Sequence, residues 1–300
     1  MHINTYMYTR DVNFFDFCEQ VDVMVSWIEE NCSITLTAIQ ARINSEFNET
    51  LALSTISKYL DGKLYTRKAV HTEPIIMNSN VNKEKRAAFV TSLNGFIQAG
   101  KQIVFIDETN FNLFCRHTRG RSKVGHRAIQ PLPAVRGPNI HLVGAISGSG
   151  VVSMDRQRGP FKKDTCGAWI ATVLQRWEGQ GNNLADLVII CGNAPCHSAI
   201  ENAVAINSGG RSQVLRLGPY SPMMNPIETI WAKIKTYVKG HIGVPIVEGL
   251  NLAEQRLQYL ENLVDEAKLT ITGGDCARAF QHSSSFHTSA VALEDMLIGT

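Results

Sequence analysis

The feature that most constrains the fold is a change of hydrophobic rhythm at residue 101. Beyond it, short apolar runs alternate with amphipathic stretches. Ile103-Val104-Phe105-Ile106 predicts a buried strand ending at Asp107, and Ile140–Ile146 and Val151–Met154 flank a Gly-Ser-Gly turn, as a hairpin does. Residues 165–178, with Trp169, Ile170, Val173, Leu174 and Trp177 on one face, predict a helix. Leu187–Cys191 reads as a fourth strand, residues 198–207 as a helix, Val214–Leu217 as a fifth strand and residues 226–239 as a long amphipathic helix. Helices must then cover a mixed sheet, which makes this part of the chain an α/β layer.

The first seventy residues follow helical spacing instead. Val21, Val23, Met24, Trp27 and Ile28 form an apolar stripe ending near Glu30. Thr37 is the expected cap of a second helix with Ile39, Ile43 and Phe47. After the polar turn Asn48-Glu49-Thr50, Ser54 is the expected cap of a third, with Ile56, Tyr59 and Leu60, stopped by Gly62. A short helix behind a helix-turn-helix pair is the layout of a DNA reader. On that reading Ser54, Thr55, Ser57 and Lys58 form the face toward a major groove, with Lys63, Arg67 and Lys68 on phosphates beyond it. A plain three-helix bundle accounts for the same pattern. Residues 73–100 read as a connector with a helix over 82–98, and residues 246–300 as a C-terminal extension whose helix, over 247–268, packs on the α/β domain.

Composition narrows the class. Hydrophobic residues at 44% and charged residues at 19% describe a globular chain with a sizeable core. No apolar run approaches the roughly 18 residues that cross a bilayer, and the N-terminus lacks the pattern of a secretory signal. Seven scattered cysteines read as free thiols of an intracellular protein. The net charge of +2 says little, but its distribution says more. From Asp107 to Lys163, ten basic residues (Arg116, Arg119, Arg121, Lys123, Arg127, Arg136, Arg156, Arg158, Lys162, Lys163) stand against three acids (Asp107, Glu108, Asp155), an excess of seven. Such a patch attracts phosphate backbones unless the acidic C-terminal region balances it.

Strand, strand, strand, helix, strand, helix, strand, helix is the order of a ribonuclease H-like fold, and three strings within it carry chemistry. They are FIDETNF around Asp107, GNAPCH at 192–197 and YSPMMNPIETIW at 220–231. Locally, Asn225-Pro226 with Glu228 reads as a helix cap with a capping box. Together the strings resemble the catalytic motifs of mariner-like DNA transposases, over roughly residues 20–240. That family places one acid after a strand, a second at the head of an Asp-Asn-Ala-Pro-x-His string, and a third at the end of a Ser-Pro-x-x-Asn-Pro-Ile-Glu string.

The resemblance implies that Asp107 and Glu228 are the first and third ligands of a two-metal site for Mg2+ or Mn2+. It implies a chain that binds the terminal inverted repeats of a DNA element and cuts and joins double-stranded DNA as a homodimer, in the nucleus if the host is a eukaryote. It further implies that Arg119, Arg121 and Lys123, in a loop after the first strand, contact DNA or the partner subunit. Relatives usually carry two tandem DNA-binding units, and one is legible here. The departure is Gly192, which stands where the second aspartate belongs and supplies no ligand. Neither Asp186, six residues earlier at the far end of its strand, nor Glu108, on the opposite face of its own, replaces it. Asn193 is nearer, but an amide binds a hard cation weakly. The expectation is a transposase impaired in cutting, or a transposase-derived protein that only binds DNA. Cys191, Cys196 and His197 form no zinc pattern of finger spacing.

Overall fold

The structure is a computed structural model and describes residues 14–63, 65, 73–115, 122–129, 139–242 and 252–297. It divides into two compact units, 1–72 and 73–300.

In the first unit, α1 (Phe14–Glu30), α2 (Leu36–Phe47) and α3 (Leu53–Gly62) surround a small core of Val21, Met24, Trp27, Ile39, Ile43, Ile56 and Leu60. The caps differ from the expectation. Thr35, not Thr37, caps α2, its hydroxyl accepting from the Ala38 amide at 3.1 Å. Thr35 has the extended backbone that a cap needs, whereas Thr37 is already inside the helix. Ala52 begins α3 without a side-chain bond, and Ser54 lies within the helix. Asn48, left-handed at φ 52°, ends α2 and turns the chain toward α3. Ser54 and Lys58 are exposed and Thr55 and Ser57 half-buried on α3, while Lys63 is ion-paired with Asp22 at 2.8 Å. Arg67 and Lys68 lie outside the described residues.

The second unit is built on one sheet. Its strands are β1 (Gln102–Phe111), β2 (Ile140–Ser147), β3 (Gly150–Arg158), β4 (Leu187–Cys191) and β5 (Gln213–Arg216), in the order β3-β2-β1-β4-β5. The β1–β2 and β2–β3 pairs are antiparallel, and β1–β4 and β4–β5 are parallel. One face is covered by α5 (Lys163–Gly179) and α6 (Ile200–Ser208), with Val104, Ile106, Ile189 and Cys191 pointing into that core. The other carries Phe105, Leu142, Ile146 and Ile190 against α4 (Asn80–Gln98), α7 (Pro226–His241), α8 (Leu252–Leu269), α9 (Gly273–Ser284) and α10 (His287–Val291). Each such buried side chain contributes on the order of 1.5–3 kcal/mol.

Three expectations change here. β1 does not end at Asp107. Its pairing with β4 stops at Ile106↔Cys191, but β2 continues the ladder through Asp107↔Gly144 to Phe111↔Ile140. α4 is no connector, since Phe89, Val90 and Leu93 belong to the core of the second unit. The basic excess in the 107–163 segment is partly neutralised, because α8 supplies carboxylates to β3. Arg156 meets Glu261 at 2.6 Å and Asp265 at 2.8 Å, and Arg158 meets Glu261 at 2.7 Å and Glu254 at 2.8 Å. Arg119 and Arg121 lie outside the described residues, and Lys123 is exposed.

Candidate active site

Period-two alternation decides where the acids point. Phe105 faces the core under α4 and α7, so Asp107 shares that face, while Glu108 falls on the α5/α6 face with Val104 and Ile106. On β4, Ile190 faces the α7 side, so Gly192 does too. The Ile106↔Cys191 pair then sets Asp107 and Gly192 next to each other just beyond the parallel ladder. Glu228 arrives from the first turn of α7. Opposite Asp107, Gly144 lets α7 come close, because a Cβ there would lie 2.6 Å from the Trp231 ring.

Asp107, Gly192, Asn225 and Glu228 line one cavity of about 860 Å³, with exposed Lys85 and Tyr220 also on its wall. Asp107 is half-buried, and Glu228 lines the same cavity with its residue exposed to solvent. Burial, then repulsion from Glu228 and Glu108, pushes the Asp107 carboxyl up to about 7. Burial raises Glu228 as well, against the pull of Lys235 and a hydrogen bond with Asp107. Both shifts run upward, as they do when two acids crowd one another away from water.

Asn225 was legible only as a helix cap, and it does something else. Its side chain makes no cap bond with α7. Instead its Nδ2 donates to Asp107 Oδ2 at 3.3 Å. Its Oδ1 is buried with no partner. A raised acid pair beside an orphaned buried acceptor is short of positive charge, and an oxygen-only donor set suits a hard cation such as Mg2+ or Mn2+. Asp107, Glu228 and Asn225 thus fit one divalent cation. A second gains no side-chain donor from Gly192, and Asn193 directs its amide to Leu217 O at 3.0 Å.

Arg216, at the end of β5, was not singled out by the sequence and organises this edge of the site. It donates to Gly192 O at 3.1 Å and His197 O at 2.7 Å, and forks onto Glu201 at 2.6 and 2.8 Å. Tyr220 was also unmarked, and its φ of 51° holds it in a conformation uncommon outside glycine. Behind Gly192, Glu108 contacts Cys196 and His197. Asp186 is at the far end of β4, 3.5 Å from Lys101, and cannot reach the cavity.

A five-stranded mixed sheet with helices on both faces and two acids meeting beside its central strands defines a ribonuclease H-like domain. Residues 102–251, half of the chain, match the DDE superfamily endonucleases, and the chain belongs to that family. In fold it is similar to the Mos1 transposase paired-end complex with left transposon end, with a TM-score of 0.67 at 14% identity, covering 97% of this chain and 80% of that one. The Mos1 mariner paired-end complex with Mn matches with a TM-score of 0.65 at 15% identity, over 97% and 80%. The catalytic domain of Mos1 mariner transposase gives 0.51 at 13% identity, over 77% of this chain and all of that one. No curated protein matches by sequence.

Proposed function

We propose that this chain is a mariner-like transposase that binds the ends of a DNA element and whose strand cutting is crippled by Gly192. The observation that carries this reading is the meeting of Asp107 and Glu228, far apart in sequence, in a cavity that Gly192 also lines. The fold neighbours support it, being Mos1 complexes with transposon-end DNA and with Mn or Mg.

Asp107 and Glu228 would hold a divalent cation, which would supply positive charge beside the attacked phosphodiester and its nucleophile. The chain's own groups do the rest. Asn225 steadies Asp107, and exposed Lys85 at the cavity wall offers a contact for phosphate. The missing carboxylate weakens cation binding and loosens placement of the nucleophile, where a misplacement of about 1 Å can cost roughly 100-fold in rate. DNA-end recognition falls to Ser54, Thr55, Ser57 and Lys58 on α3, with Arg67, Lys68, Arg119, Arg121 and Lys123 as phosphate contacts in a homodimer on the element ends. That work belongs in the nucleus of a eukaryotic host.

The test is Mg2+- and Mn2+-dependent nicking of a supercoiled plasmid carrying candidate terminal repeats. The unmodified chain should bind without cutting, and Gly192→Asp should raise cutting by orders of magnitude. Cutting by the unmodified chain that Asp107→Ala abolishes would refute the crippling. Absence of DNA binding would sink the transposase reading.

A further inference from the structure

Glu108, Cys196 and His197 form a second cluster, outside the cavity that holds Asp107 and Glu228. Cys196 and His197 follow one another in the short 3-10 turn 195–197, and Glu108 reaches them from the opposite face of β1. Cys196 Sγ lies 3.0 Å from Glu108 Oε1, and His197 Nε2 lies 3.0 Å from Glu108 Oε2. One ligand atom from each of the three residues is within 4.8 Å of the others.

A metal here would compete with protons for the same three side-chain atoms. His197 Nδ1 sits 3.2 Å from the Gly192 carbonyl, which can only accept, so Nδ1 carries the hydrogen. In a neutral ring Nε2 is then a bare lone pair. It faces Glu108 Oε2, and the contact is an ion pair when the ring carries its second proton. Burial opposes a second proton on the ring, but Glu108 and the Gly192 carbonyl raise His197 overall, and a divalent cation would satisfy the same two atoms in place of that proton. The thiol beside them makes the donor set sulfur, nitrogen and oxygen, the set of a soft or borderline metal rather than of magnesium.

We propose that Glu108, Cys196 and His197 form a binding site for a thiophilic divalent cation, with zinc the best match, that ties the 192–197 loop to β1. Three protein ligands and one open position is a familiar zinc arrangement. The Nδ1–H bond to the Gly192 carbonyl orients the ring and presents Nε2 to the metal, as outer partners of zinc histidines do. Glu108 and Cys196 are half-buried, which leaves an entry path. Without metal, burial and the Glu108 carboxylate keep the Cys196 thiol protonated. Binding forms a sulfur–zinc bond and releases that proton to solvent, so affinity rises with pH. The Gly192 carbonyl is shared by His197 and Arg216, so zinc here stiffens the loop bordering the acid cavity without entering it.

The test uses the full chain stripped by chelator and titrated with Zn2+ and, separately, Co2+. A thiolate-to-cobalt charge-transfer band should appear and saturate at one equivalent of Co2+ bound at this cluster, whatever the acid cavity takes up besides. Cys196→Ser should abolish that band and weaken zinc by at least about 10–100-fold, the loss typical of disturbing even an outer partner. Glu108→Gln, which keeps the shape of the site, should weaken zinc but retain the band, and Asp107→Asn should change neither. No thiolate band, a band surviving Cys196→Ser, or unchanged zinc affinity in Glu108→Gln overturns the site.

Discussion

Asp107→Asn should make the metal-free protein more stable, and only above acidic pH. Folding lifts the Asp107 carboxyl from an ordinary 3.8 to about 7, chiefly by burial and then by the charges of Glu228 and Glu108. A folded pKa above the unfolded one means that the native state binds the extra proton. Stability from Asp107 is therefore full below about 4 and is lost as the pH climbs to about 7. Three units at 1.36 kcal/mol each is about 4 kcal/mol, and with solvent reaching the pair through the cavity we expect roughly 2–4 kcal/mol. Asparagine keeps the shape and the oxygen that accepts from Asn225 but carries no charge. With a chelator present at pH 8, the urea midpoint of Asp107→Asn should rise by about 1 M at an unchanged slope of roughly 2–3 kcal/mol/M, while at pH 4 the two proteins should coincide. Added Mg2+ should narrow the gap at pH 8, since only the acid pair gains from it. A variant no more stable than the parent at pH 8, or a difference independent of pH, would show that the acids do not repel and that the cavity is no cation site.

Gly192→Ala should be neutral or stabilising by up to about 1 kcal/mol, because no atom lies within 4 Å of the added Cβ and φ is not positive; a loss beyond 1 kcal/mol in denaturant melts would mean that aspartate cannot be restored there either. Gly144→Ala should cost about 1–3 kcal/mol by overpacking against Trp231 and Ile227 and displace α7 with Glu228, which thermal melts and Mg2+ affinity would report. In residues 1–75, Lys58→Ala should weaken DNA binding on every sequence and flatten its salt dependence, whereas Thr55→Ala should change the preference among sequences; no affinity at low salt removes the DNA-reader assignment.

Much of the fold was open to reading because its signals are local. β4 falls on Leu187–Cys191 as expected, α7 starts at Pro226, and the Gly-Ser-Gly turn joins β2 to β3. The last thirty residues carried no readable pattern, yet α9 and α10 place Cys276, Ala279 and Ala290 in the main core. Their small buried side chains leave too thin a stripe to stand out from the polar sequence around them. The caps at Thr35 and Ala52 were missed because neighbouring hydroxyls compete on equal local terms, and backbone geometry breaks the tie.

By itself, the sequence determined the order of elements, the face each acid takes on β1, and the loss of a ligand at Gly192. All three follow from periodicity and residue type, which need no knowledge of distant neighbours. Only the tertiary structure decided what those residues meet. Asn225 could cap its own helix or bond Asp107, 118 residues away, and it takes the carboxylate because packing of α7 over Gly144 brings the two together. Arg156 and Arg158 looked like free charges until α8 supplied Glu254, Glu261 and Asp265. Glu108 gained Cys196 and His197 from a loop 88 residues downstream. Hydrogen bonds and ion pairs act over a few ångströms, and which groups come that close is settled by the packing of the whole sheet and its helices.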